Sequence, residues 1–160
     1  GCRIYIMINL RSLIIPFVKN LLNILFFPKN YMIFKITEMN SNSMEPNFHE
    51  GSYYLVKKIS DFSSIKRFDV IIYFCKIHSL NHIKRVVGLP NETLNVYDNS
   101  IFVNTKKIDN ISIPDSINIE CKIRSIEYFL LSDNIFLLGK SCDSIKNGPI
   151  KKENIIGSII

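Results

Sequence analysis

The chain has 160 residues, 47% of them hydrophobic and 21% charged, which is the length and balance of one globular domain and excludes a disordered, collagen-like or polytopic membrane protein. Twenty basic and 14 acidic residues leave +6, but the cations are scattered along the chain, so no nucleic-acid partner is expected. Cys2, Cys75, Cys121 and Cys142 stand far apart in a chain long enough to bury a core without staples, so free thiols are expected. The chain starts at Gly1, which leaves room for residues ahead of it.

Residues 1–38 form the first segment. Apolar residues dominate 13–27, and Arg3, Arg11, Lys19, Lys29 and Lys35 punctuate the region against Glu38 alone. A membrane span takes about 20 mainly apolar residues, whereas this stretch is shorter and carries Lys19, Asn20 and Asn23. Ile14, Val18, Leu21, Leu22 and Leu25 recur at helical spacing. The segment therefore reads as an apolar and basic helix associated with a lipid bilayer, either as a marginal span or lying in the interface, with packing on the domain as the bland alternative. No small-residue cleavage site follows it.

Residues 39–160 read as a β-rich domain. Residues 53–56 and 70–74 are short β-branched and aromatic runs, and 93–96 and 101–103 flank Tyr97-Asp98-Asn99-Ser100, a hairpin turn. Ile117, Ile119, Cys121 and Ile123 alternate with polar residues at strand period, and 129–131, 135–138 and 155–160 complete the set. Many short strands with no intervening helical period predict a mainly β, antiparallel, partly barrel-like fold behind the N-terminal apolar helix.

Cys75, His78 and His82 have the spacing Cys-x2-His-x3-His, with Cys121 or Cys142 as a fourth ligand. A structural zinc site normally shows two paired ligand spacings, and the second pair is missing. Neither a metal nor another cofactor is expected.

Two segments carry the chemistry. Asn40-Ser41-Asn42-Ser43-Met44-Glu45-Pro46 is polar and turn-like just after the leader, and Asn81-His82-Ile83-Lys84-Arg85-Val86-Val87-Gly88-Leu89-Pro90 sets one lysine inside an apolar strand. Alone, Ser43 reads as a loop or cap serine and Lys84 as an edge lysine facing solvent.

Together the segments resemble the type I signal peptidases, membrane-bound serine proteases with a Ser/Lys dyad. Ser43-Met44-Glu45-Pro46 is similar to the family's Ser-Met-x-Pro, and Arg67-Phe68-Asp69 to its Arg-Gly-Asp strand. His82-Ile83-Lys84-Arg85-Val86-Val87-Gly88-Leu89-Pro90 matches the lysine block almost residue for residue. Ser132-Asp133-Asn134 resembles Gly-Asp-Asn, and Ser141-Cys142-Asp143-Ser144 resembles Ser-x-Asp-Ser. Gly148-Pro149-Ile150 is similar to the Gly-Pro-Val of the mitochondrial inner membrane peptidase branch. Phe68, Ser52, Asn47 and Asn91-Glu92 depart from the pattern, as does Ile145 where an arginine partner for Asp143 is usual; without it a buried Asp143 would look to Lys140 or Lys146.

The resemblance implies a β domain shared with LexA-like repressors, whose helix-turn-helix pattern this leader lacks. Ser43 would be the nucleophile and Lys84 the general base, with Ser41 assisting the oxyanion and Ser141 orienting the amine. Asp143 and Ser144 would support the site. The implied reaction is removal of hydrophobic signal or sorting peptides from precursor proteins, at the mitochondrial inner membrane facing the intermembrane space. Alternatives are a bacterial plasma-membrane or plastid enzyme, or a degenerate partner subunit that stabilises a homologous peptidase.

Overall fold

The structure is a computed structural model, and it describes residues 10–37, 42–109 and 111–160. Two compact units divide the chain, one ending at Tyr31 and the other running Met32–Ile160.

The first unit is dominated by helix α1, Leu10–Phe26, which contains Pro16 and is followed by a 3-10 turn at Pro28–Asn30. Pro28 opens this turn, at a first helical position where its missing N–H has no intrahelical partner to lose. Phe17, Leu25 and Phe26 are exposed. Among the described residues no helix is long and apolar enough to cross a membrane, because α1 has 17 residues and Lys19, Asn20 and Asn23 interrupt its apolar run. The helix also stops well short of residue 38: Tyr31–Lys35 is extended and forms strand β1.

The second unit is built from β1, β2 (Tyr53–Lys58), β3 (Val70–Cys75), β4 (Leu80–Gly88), β5 (Thr93–Tyr97), β6 (Ser100–Val103), β7 (Lys106–Ile108), β8 (Ile119–Lys122), β9 (Glu127–Leu131), β10 (Ile150–Lys151) and β11 (Ile155–Ile159). A one-turn helix, α2, spans Ser144–Asn147. One sheet has the order β1-β2-β11-β3-β4-β9-β10 and the other β7-β6-β5-β8. The expected antiparallel β architecture is present, but neither sheet closes on itself, so the partly barrel-like expectation is corrected to two open sheets. Residues 135–138, expected as a strand, instead contain a 3-10 turn at Ile135–Leu137. The Asn134 side chain accepts from the Phe136 N–H at 3.0 Å, offering the backbone a local partner that competes with a ladder.

The sheets differ in how they are buried. In the smaller one, Asp98 and Asn99 both have positive φ, so β5 and β6 join through a two-residue turn that pairs Tyr97 with Ser100. Leu94, Val96, Ile101 and Val103 face a core shared with Val87, Ile123, Phe129 and Leu131. In the larger sheet, β3 is buried on both faces: Ile71, Tyr73 and Cys75 join Val86, Tyr128, Leu130 and Cys142, while Val70 and Ile72 join Phe34, Ile36, Met44 and Ile83. A doubly buried strand reads as a continuous apolar run, which Val70-Ile71-Ile72-Tyr73 is.

The β4 strand ends in a bulge between Val86 and Gly88, opposite β9. A Cβ on Gly88 would sit 2.3 Å from Ile123 Cδ1 and 2.8 Å from Phe129 Cβ, so only glycine lets the sheets approach there. The following turn closes with Glu92 N–H donating to the Leu89 carbonyl at 3.3 Å, and Asn91 sits at φ +68°. Asn91 occupies a left-handed position that asparagine tolerates and a β-branched residue does not. Asn91→Val is expected to lower stability by about 1–2 kcal/mol, with Asn91→Gly staying within about 0.5 kcal/mol of wild type, both read by thermal or denaturant unfolding.

Candidate active site

Ser43 lies in a 3-10 turn at Asn42–Met44. Met44 is fully buried in the core formed with Phe34, Ile36, Val56 and Ile83, and it anchors the turn. The Asn134 N–H donates to the Ser43 carbonyl at 3.0 Å, and the Asn134 side chain donates to the Asn42 carbonyl at 2.7 Å. The turn is therefore clamped from below by an apolar plug and from the side by one asparagine.

Lys84 comes from the middle of β4. Side chains alternate along a strand, so Lys84 shares a face with His82 and Val86 and stands directly opposite Ile71 of β3. It is 0% exposed. Its Nζ lies 2.7 Å from Ser43 Oγ and donates to the Ile83 carbonyl at 2.9 Å. Burial in this apolar face brings the Lys84 amine down to about 8, against the opposing attraction of Asp143, Cys142, Asp133 and Cys75. Ser43 and Lys84, 41 positions apart in sequence, are thus brought to a single hydrogen bond.

Arg85 points the other way. It forms a two-pronged ion pair with Asp133, at 2.7 and 2.6 Å, and donates to the Phe68 carbonyl at 2.8 Å. Asn47 donates to the same Asp133 at 2.8 Å. Asp133 and Asn134 together therefore tie β4 to the serine turn, a link that the sequence showed only as separate motifs. Arg67 makes a similar pair with Glu92, at 3.0 and 2.5 Å, and Glu92 also accepts from the Leu89 N–H at 2.7 Å. The glutamate that stands for the family's aspartate keeps its charge in use. Phe68 has φ +73°, the left-handed region where the family has glycine, and its N–H donates to the Val86 carbonyl at 2.7 Å.

The C-terminal segment closes the site. Asp143 is fully buried and caps α2: its carboxylate accepts from the Lys146 and Gly139 N–H groups at 3.1 and 2.9 Å, and from Ser141 Oγ at 3.4 Å. Backbone amides, not the Lys140 or Lys146 ammonium, hold this carboxylate, so the arginine replaced by Ile145 is not needed to satisfy it. Ser144 Oγ accepts from the Leu130 N–H at 2.8 Å and fastens α2 to β9. Ser141 lines the same cavity of about 240 Å³ as Ser43 and Lys84, and its hydroxyl lies 2.6 Å from Ser132 Oγ. Ser41, the candidate for oxyanion assistance, lies outside the described residues.

Such an arrangement has a definite chemical capacity. A neutral lysine accepts the serine proton as the oxygen attacks a carbonyl, and the small cavity admits a reacting group beside them.

Comparison with known proteins agrees with this geometry. A family model described as signal peptidase, peptidase S26, matches residues 13–160. Signal peptidase I V of Bacillus subtilis (strain 168) is 33% identical over 135 residues, covering 73% of this chain and 78% of that protein. Signal peptidase I of Bacillus licheniformis is 24% identical over 163 residues, covering 92% and 83%, and that of Leptolyngbya laminosa is 30% identical over 132 residues, covering 75% and 64%. A signal peptidase I from Enterococcus faecalis V583 shares the fold with a TM-score of 0.52 at 20% identity, covering 61% of this chain and 97% of that one. On the family match over most of its length, this chain belongs to the signal peptidase family, peptidase S26, and is a signal peptidase I-like serine protease.

Proposed function

We propose that this protein is a membrane-attached endopeptidase that cuts signal peptides from precursor proteins, with Ser43 as nucleophile and Lys84 as general base. The observation that carries the reading is the 2.7 Å contact between Ser43 Oγ and a fully buried amine. As Ser43 Oγ bonds to the scissile carbonyl carbon, its proton passes to Lys84 Nζ and then to the leaving amine. Water repeats the cycle in reverse to release the acyl group. The Ser43 N–H serves the developing oxyanion, with Ser41 as its partner, and Ser141 orients the amine from the cavity wall. Substrate binds extended, as an added strand with shallow pockets for small residues beside the cut.

The exposed Phe17, Leu25 and Phe26 of α1, together with Lys19 and Lys29, fit an interfacial anchor. An anchor confines enzyme and membrane-tethered precursor to one plane and raises their effective concentration. The named relatives from Bacillus and Leptolyngbya support a bacterial-type plasma-membrane enzyme. The Gly148-Pro149-Ile150 segment is what favours the mitochondrial inner membrane branch. The retained Ser43 and Lys84, and an Asp143 satisfied by backbone amides although Ile145 stands where an arginine is usual, support an active peptidase over a catalytically silent partner subunit.

Incubating detergent-solubilised protein with a signal-bearing precursor tests the dyad. Ser43→Ala and Lys84→Met are each expected to lower cleavage by at least about 10²–10⁴-fold while keeping a wild-type circular dichroism spectrum. Wild-type rates in either variant, or no cleavage by the parent, would sink the assignment. The pH profile supplies a second check. Because the base works only when neutral, kcat/KM should rise with pH through one ionisation near 8 and then level off. A profile already flat from pH 6 would exclude the lysine as base.

A further inference from the structure

A second cluster of reactive side chains lies beside the dyad and takes no part in the mechanism above. Cys75 ends β3, His78 sits in the turn that follows, and His82 lies in β4, so one hairpin presents three donors. The fourth, Cys142, comes from the loop before α2, 67 residues from Cys75. Cys75 Sγ and Cys142 Sγ are 2.7 Å apart, His78 Nδ1 is 3.0 Å from Cys142 Sγ, and it is 3.7 Å from Cys75 Sγ. One ligand atom from each of the four residues falls within 4.8 Å of every other.

His82 supplies an independent pointer. It is 8% exposed, and its Nε2 is buried without a hydrogen-bond partner among the described residues. Such an atom is unfavourable when left unsatisfied, and a Lewis acid among the other three donors would give it a partner. The surroundings hold the set in place: the Tyr73 hydroxyl donates to the Cys142 carbonyl, Asn147 Nδ2 lies 3.3 Å from Cys142 Sγ, and Asp143 caps the adjoining helix. His78 is exposed, which leaves a way in for an ion from solvent.

We propose that Cys75, His78, His82 and Cys142 form a structural site for a thiophilic, tetrahedral divalent cation, with zinc as the ion that the donor set fits. Two thiolates and two imidazoles are a known complete zinc shell, with metal–sulfur bonds of about 2.3 Å and metal–nitrogen bonds of about 2.0–2.1 Å. A tetrahedron with those bonds separates its ligand atoms by about 3.3–3.8 Å, so closing on the ion asks for movements on the order of 1 Å from the distances seen. Binding releases the two thiol protons to solvent, and no group is oxidised or reduced. A Cys75–Cys142 disulfide would engage two of the four donors and leave His82 Nε2 as it is. Because His78, His82 and Cys142 also line the cavity that holds Ser43 and Lys84, the ion would pin the β3–β4 hairpin to the loop carrying Ser141.

The test uses the reduced full-length protein, stripped with a chelator and then titrated with Zn²⁺ or Co²⁺. The expected result is one ion per chain, a tetrahedral Co²⁺ spectrum with thiolate charge transfer, and a zinc-dependent rise in unfolding temperature. Cys142→Ser and His78→Ala, each checked for folding by circular dichroism, should weaken binding by more than the roughly 10–100-fold that losing an outer-shell partner costs. Ser43→Ala should bind zinc like the parent, which separates this result from the peptidase reading. The proposal is overturned if the folded, reduced protein takes up no stoichiometric ion, or if both ligand variants bind as tightly as wild type. Isolation of Cys75 and Cys142 as a disulfide that retains no metal would overturn it as well.

Discussion

A lysine amine buried out of solvent is the constraint around which this protein is arranged. Lys84 is wholly removed from solvent with Ile71 across from it and His82 and Val86 on either side. Burial disfavours its charged form, and the displacement to about 8 corresponds to a penalty on the order of 3 kcal/mol. That penalty is full below about pH 8, where folded and unfolded chains both carry the proton. It fades as pH climbs toward the ordinary lysine range. The fold therefore tolerates an unfavourable group at neutral pH, and the return is a base able to accept a proton under the same conditions.

Keeping that base useful requires the serine to stay in place, and much of the remaining polar structure does this. Met44 plugs the turn into the core, Asn134 grips it by two hydrogen bonds, and Asp133 links Arg85 to Asn47. The ion pair of Asp133 with Arg85 is partly sheltered and two-pronged, the geometry in which such pairs carry positional information as well as energy. Asp143 belongs to the same frame. Its amide partners let the loop before α2 come close to Lys84 while leaving its negative charge as a moderating influence on the amine.

Local chemistry made part of this legible in the sequence. Period-two alternation at Ile117 to Ile123, the β-branched run in β3 and the Asp98-Asn99 turn are short-range signals, and the elements they predict are present. The 3-10 turn at Ile135–Leu137 looks like a strand in sequence because its residues are apolar, whereas the deciding atom is the Asn134 side-chain oxygen. Strand β1 was hidden for a related reason: Tyr31-Met32-Ile33-Phe34 continues the greasy character of the helix before it, and Pro28 marks the change. At the site, Ser43 and Lys84 could be named from their segments, but their meeting depends on β4 lying next to β3 and on a clamp from Asn134, which no local pattern encodes. The sequence offers Cys75, His78 and His82 with either Cys121 or Cys142 as a fourth member, and only the fold selects Cys142, which arrives from the far end of the chain.

Lys84 and Arg85 are chain neighbours with opposite assignments, one turned into the apolar interior and the other toward Asp133. Because pleating sends successive residues to opposite sides, a slip of one position in this strand would exchange the two cations. A guanidinium, which does not deprotonate in proteins, would then occupy the place of the base. Length changes across β4 are therefore confined to the flanking turns or to even numbers, whereas substitutions at its wetter positions are comparatively free. The alternation acts as a parity check on the reading frame of the catalytic strand, and the bulge before Gly88 is where an odd residue has been absorbed without disturbing it.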